Sequence, residues 1–254
     1  MKRLLAALLA AAAGVAGAAE DARLTATVGA EYSKGDYGQD IETSIFAVSF
    51  TAKYEVGRWT LRASVPWLSI DGPSNVLVAD SGGVVLPGTG ERRTDSGLGD
   101  LVLGAAYLVM VGPDAPFMLD LGGKVKLPTA DEDKGLGTGE TDYSLQAEAF
   151  KPMGAFTPFA TLGYRSYGDP PDQELKNALY GSLGATYRYS AQTTVGGAYD
   201  FRERIVDGGA RLSEISAFLS HRVRSDLRVQ VYAVFGLADA SPDAGAGVTA
   251  SYSF

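Results

Sequence analysis

The side chains available for chemistry are few in kind. The sequence has one histidine and no cysteine, so it offers no disulfide, thiolate metal site or thiol nucleophile. The sole imidazole, His221, could serve a hydrolase only if a serine and an orienting third group met it at the substrate. Asp131, Glu132 and Asp133 form an acidic cluster whose oxygens could hold a divalent cation. A solvated loop, or cation-bridged lipopolysaccharide contacts at a membrane rim, would use the same residues. Gly135, Gly137 and Gly139 suggest a phosphate loop, but that chemistry needs a helix directly after the glycines. Asp142 to Phe150 alternates as a strand instead, so a glycine-rich external hairpin loop is the better account. No catalytic residue, metal or cofactor is implied. A net charge of −8 argues against nucleic acid as partner, which would call for a basic face.

The larger chemical resource is a set of charged residues inside runs of period-two alternation. In residues 41–54 one face carries Phe46, Val48, Phe50, Ala52 and Tyr54, and the other Ala47, Ser49, Thr51 and Lys53. In residues 59–67, Trp59, Leu61, Ala63, Val65 and Trp67 face one way, while Thr60, Arg62 and Ser64 face the other. Alternation over such lengths predicts strands. Roughly twelve runs of this kind are expected, at the length of membrane-barrel strands: 22–32, 41–56, 58–70, 98–110, 116–128, 140–151, 156–167, 177–189, 192–204, 210–221, 226–237 and 245–254. Ten to fourteen remain possible. The gaps alternate: 33–40, 71–97, 129–139, 168–176, 205–209 and 238–244 are the longer ones, while Gly57, 111–115, 152–155, 190–191 and 222–225 are short. Outer-membrane barrels have long external loops and short periplasmic turns. An even strand number also returns the C-terminus to the periplasm.

Residues 1–19 read as a signal peptide, with Lys2-Arg3, an apolar run from Leu4 to Val15 and the small residues Ala16-Gly17-Ala18. Residues 20–254 are then expected to form the barrel, in the bacterial outer membrane. The pairs Phe46 and Tyr54, Trp59 and Trp67, and Phe156 and Tyr164 each lie eight residues apart on one face. Eight tilted residues rise about 20 Å, close to the ~25 Å apolar band that aromatic girdles border. In the last strand Val248, Ala250, Tyr252 and Phe254 alternate with small polar residues. Its two terminal aromatics are similar to the C-terminal signature read by the bacterial barrel-assembly machinery.

Alternation then assigns the charges. Lys53, Arg62, Lys124, Lys126, Arg165, Arg188, Arg202 and Arg228 fall on the inner face, as do Asp100, Asp120, Asp142, Glu148, Asp200 and Glu214. Arg or Lys on the lipid face at the midplane would cost about 2–4 kcal/mol, which a lumen position avoids. These residues either fill a small barrel with salt bridges or line a polar pore that guides a solute. Gly104, Gly122, Gly184 and Gly196 are expected to face inward too, freeing some space. The 71–97 segment carries Val76, Leu77, Val78, Val84, Val85 and Leu86. Such an apolar loop either folds inward as a constriction or capture site, or packs on itself outside.

Two segments carry a family resemblance. The first is Gly97-Leu98-Gly99-Asp100-Leu101-Val102-Leu103-Gly104 with Tyr107. The second is Lys124-Val125-Lys126-Leu127-Pro128-Thr129-Ala130-Asp131, then Gly135 to Gly139, Asp142, and Leu162-Gly163-Tyr164-Arg165. Together they resemble the meta-pathway phenol-degradation, or transporter, family of outer-membrane barrels; Ala130 departs from that family's usual glycine. The resemblance implies passage of small, often hydrophobic or aromatic compounds. The expected function is therefore a passive outer-membrane channel, in contact with lipid and lipopolysaccharide. An outer-membrane lipid hydrolase and a closed structural barrel are the alternatives. His221, beside the turn 222–225, falls at the periplasmic end, the wrong end for attack on outer-leaflet lipid.

Overall fold

Alternating sequences of this length can satisfy their backbone groups in a membrane only by pairing around a closed ring, and they do so here. The computed structural model describes residues 22–73, 77–80, 84–86, 91–109, 117–170 and 173–254. The expected signal peptide, the 111–115 turn and Val76 lie outside them. The strands are β1 (Arg23–Gly35), β2 (Thr43–Val56), β3 (Trp59–Pro73), β4 (Leu77–Asp80), β5 (Val84–Leu86), β6 (Arg92–Leu98), β7 (Leu101–Leu108) and β8 (Met118–Leu127). They continue as β9 (Asp142–Phe150), β10 (Phe156–Ser166), β11 (Ala178–Arg188), β12 (Thr193–Arg202), β13 (Leu212–Arg222), β14 (Leu227–Gly236) and β15 (Ala244–Ser253). Each barrel strand pairs antiparallel with its sequence neighbour, and β1 pairs with β15 over Thr25↔Ser253 to Lys34↔Ala244, which closes the ring. Thr25 and Thr27 hydroxyls also meet those of Ser253 and Ser251 across this seam, on its inner face.

The barrel has 12 strands, because β6 and β7 together make one. Both pair with β3: β6 against Trp67–Pro73 and β7 against Trp59–Ser64. Between the pairs Trp67↔Leu98 and Ser64↔Val102 this strand carries one residue more than β3, a β-bulge at Gly99 and Asp100. Pro66 lies opposite. Its carbonyl accepts from the Gly99 N–H at 2.9 Å, but it has no N–H to return. Proline inside a sheet is tolerated at such a bulge, and the bulge turns Asp100 inward. The fourth strand therefore starts at Arg92, not at residue 98, and the 71–97 loop is shorter than its sequence suggests. Its centre is a separate hairpin in which β4 pairs with β5 alone.

The outer surface is apolar. Trp59, Leu121, Leu145, Leu162, Leu183, Val231 and Phe235 are exposed there, as expected where lipid, not protein, covers the wall. The rim aromatics also meet one another: Trp59 and Tyr107 at 4.9 Å, Phe46 and Trp67 at 6.5 Å, and Tyr252 and Phe254 at 4.9 Å between centroids, all edge to face.

Candidate functional site: the lumen and its plug

At the outer end the chain folds back into the barrel. The link between β8 and β9 holds a short 3-10 turn, Glu132–Lys134, and Gly135 leaves that turn in the left-handed conformation at φ 69°. Its acidic residues stay exposed, but the glycines send Leu136 inward to 1% exposure. Leu136 packs with Tyr37, Ile45, Leu68 and Ile70. Ile45, Leu68 and Ile70 are inner-face residues of β2 and β3, and Tyr37 enters from the β1–β2 loop at φ 51°. Burying one such leucine contributes about 1.5–3 kcal/mol toward the larger cost of ordering the loop. The glycines are also needed for space: a Cβ on Gly97 would meet Leu136, and one on Gly137 would meet Ala130 and Asp100. So the glycine-rich loop, expected outside as a hairpin, supplies an inward plug.

An ionic staple holds the plug. Lys126 Nζ lies 3.3 Å from Asp100 Oδ2, 3.2 Å from Asp142 Oδ2 and 2.8 Å from Thr138 Oγ1. The three charged side chains are only 5%, 4% and 3% exposed. The ammonium donates to Thr138 Oγ1, and both carboxylates lie within ion-pair distance of it. Asp100 Oδ1 accepts from the backbone N–H groups of Thr129 and Ala130, and Asp142 Oδ1 from that of Gly168. One buried cation thus ties two external loops to three barrel strands. A second apolar cluster, Tyr167, Leu175, Ala178 and Ile205, closes the rim above β10–β12.

Below the plug lies a polar cavity of about 530 Å³, to which Lys53, Arg62, Lys124, Arg165, Asp120 and Glu148 contribute. Strand register shows how these groups are ordered. Arg165 pairs with Ser144, Ser144 with Lys124, Lys124 with Gly104, Gly104 with Arg62 and Arg62 with Lys53. Four cations therefore share one row across six neighbouring strands. Carboxylates share another: Glu214 pairs with Asp200, Asp200 with Ser182, Ser182 with Thr161, Thr161 with Glu148 and Glu148 with Asp120. On β8 and β10 the rows are four residues apart. Between them runs a row of Tyr180, Gly163, Gln146, Gly122, Ala106 and Thr60.

The other predicted residues sit apart from these rows. Arg188 reaches the Gly154 carbonyl at the periplasmic end, and Arg228 reaches Ser220 there. Arg202 is buried near the outer rim, in the row of Tyr180. His221 is exposed on the outer face, with Nδ1 at 2.9 Å from Thr193 Oγ1. Among the described residues no group of three or more His, Cys, Asp or Glu is arranged to hold a metal.

Two of the inward glycines free no space. Rings from neighbouring strands lie on them: Phe159 over Gly184 and Phe218 over Gly196, with Tyr180 over Gly163 and Tyr232 over Gly247 in the same manner. The wall from β10 to β15 thus carries flat aromatic rings among its charged groups. Tyr180 donates to Gln146 at 3.1 Å, and its ring lies 5.7 Å from the Arg165 guanidinium. Tyr232 donates to Glu31. Sequence alternation alone could have placed Tyr180 and Tyr232 inward; their glycine partners needed the register.

A family model described as "Putative MetA-pathway of phenol degradation" matches residues 17–254. No curated protein matches the sequence. Among solved structures the fold is similar to the COG4313 outer membrane channel from Pseudomonas putida F1. The TM-score is 0.74 at 16% identity, covering 95% of this chain and 98% of that one. It is also similar to the NanC porin (TM-score 0.58, 8% identity, 89% and 98% covered) and the KdgM porin (TM-score 0.53, 12% identity, 91% and 99% covered).

Proposed function

The chain belongs to the MetA-pathway phenol-degradation family of outer-membrane β-barrels, and from that premise we propose that it is a passive channel for small solutes. The supporting observation is the cavity beneath the plug, about 530 Å³ and lined by charges of both signs. A closed scaffold would pack such charges together as salt bridges, whereas here they surround open space of that size. Hydrophobic and aromatic solutes are the class that the family's description favours, and the ring-lined wall offers them a surface. The inner-face charges from Lys53 to Arg228 are read as pore-lining groups. The plug sets the bore, and its charged staple is the element whose release would widen it.

Non-enzymatic transport is the reading favoured by His221, which stands on the lipid-facing side with a threonine for company. The terminal pair Tyr252 and Phe254 is the surface offered to the barrel-assembly machinery, and lipopolysaccharide is the natural contact of the outer rim. The test is planar-bilayer conductance with liposome swelling on a panel of sugars, amino acids and aromatic acids. Discrete conductance with size-limited uptake is expected. A folded barrel with neither would be a structural protein.

A further inference from the structure

Both charged rows cross the membrane obliquely. Arg165 lies one residue from the outer end of β10, and Lys53 lies three residues from the periplasmic end of β2. At ~4.8 Å per strand step, the basic row runs about 24 Å around and down the wall. We infer that this row is a track for the acidic group of organic anions, so that among solutes of similar size the channel prefers those carrying a carboxylate. The inference rests on the channel reading and names its substrate class.

The carboxylate row descends in the same direction, and continuity decides between the two. No gap in the basic row exceeds two strand steps, about 10 Å, and the long flexible stems of Lys and Arg shorten it further. All four cations open into one cavity. The acidic row has a gap of three steps, about 14 Å, between Asp200 and Glu148, filled by Ser182 and Thr161. Within the cavity Lys53 pairs with Glu55 at 3.0 Å. That leaves Arg62, Lys124 and Arg165 facing Asp120 and Glu148, an excess of positive charge. Gly122 and Ala106 keep the strip between the rows low on β7 and β8, and the Tyr180 ring lies flat over Gly163 at its upper end, so that a solute's uncharged body can slide along it while its carboxylate passes from one cation to the next.

The test compares lactate, ethanolamine and glycerol in liposomes carrying the full barrel, with protein-free liposomes subtracted. The zero-current potential in a KCl gradient is measured alongside. Lactate is expected to enter several-fold faster than ethanolamine, short of the about ten-fold minimum of a cleft lined by one sign of charge because carboxylates share the lumen, and the potential is expected to show chloride preference. R62Q/K124Q is expected to abolish both, while R224Q, at an exposed cation of the periplasmic turn paired with Asp226, leaves them in place. Folding is checked by heat-modifiable gel migration, and R62Q alone replaces the double variant if that fails to fold. A conducting barrel that passes lactate no faster than glycerol, prefers potassium, or is indifferent to these variants overturns the inference and leaves the channel reading standing. A folded barrel that passes no ion and no solute overturns both.

Discussion

Lys126 and Asp142 face each other across β8 and β9, with Nζ and Oδ2 3.2 Å apart. The pair is buried beneath a loop that it helps hold inside the barrel. Removing one partner of a buried ion pair leaves an uncompensated charge and costs about 3–5 kcal/mol. Lys126→Met would leave two buried carboxylates without their cation and Thr138 without its donor. The loop is expected to leave the lumen while the barrel stays closed. The readout is higher single-channel conductance together with new protease cleavage within 129–141.

The apolar half of the plug can be weakened separately. Leu136→Ala removes a fully buried side chain, at a cost of about 2–5 kcal/mol. Conductance noise from a mobile loop is expected to rise, with a smaller mean increase than in Lys126→Met, because the ionic staple remains. Equal effects would show that the two parts act as one unit.

The ring-on-glycine wall makes a steric prediction. A Cβ at Gly163 would collide with the Tyr180 ring. Gly163→Ala is expected to cost about 1–3 kcal/mol as an overpacking change and to push the ring away from Gln146 and into the lumen. Heat-modified unfolding at lower temperature, with reduced conductance, is the expected combination. Tyr180→Ala in the same background should restore conductance.

At the outer rim, Lys176 donates to Asp207. That hydrogen bond, with the lysine's charge, holds the Asp207 carboxyl below its ordinary value. A carboxyl depressed in the folded state supports the loop above its unfolded pKa, and that support is lost as pH falls through the lowered value. Proteolysis within 203–211 is expected to rise only at pH below the usual carboxylate range. Asp207→Asn should remove that pH dependence.

The sequence by itself determined the barrel. Alternation, paired rim aromatics and the long-short rhythm of the gaps are local properties, and a transmembrane strand must be apolar on one face whatever its neighbours do. Eleven of the expected strand spans needed only end adjustments of a few residues. The inner-face placement of Lys53, Arg62 and Lys124 followed from the same parity. Tertiary structure decided what those faces do. The bulge at Asp100 depends on Pro66, a residue on the neighbouring strand that cannot donate a hydrogen bond. The plug depends on whether Leu136 finds Leu68 and Ile70 across the lumen, a contact that no local pattern announces. Gly184 and Gly196, expected to free space, are covered by Phe159 and Phe218, and the inner-face charges form rows, because strand register places residues far apart in sequence side by side. Parity is written in one strand, whereas register belongs to the pair.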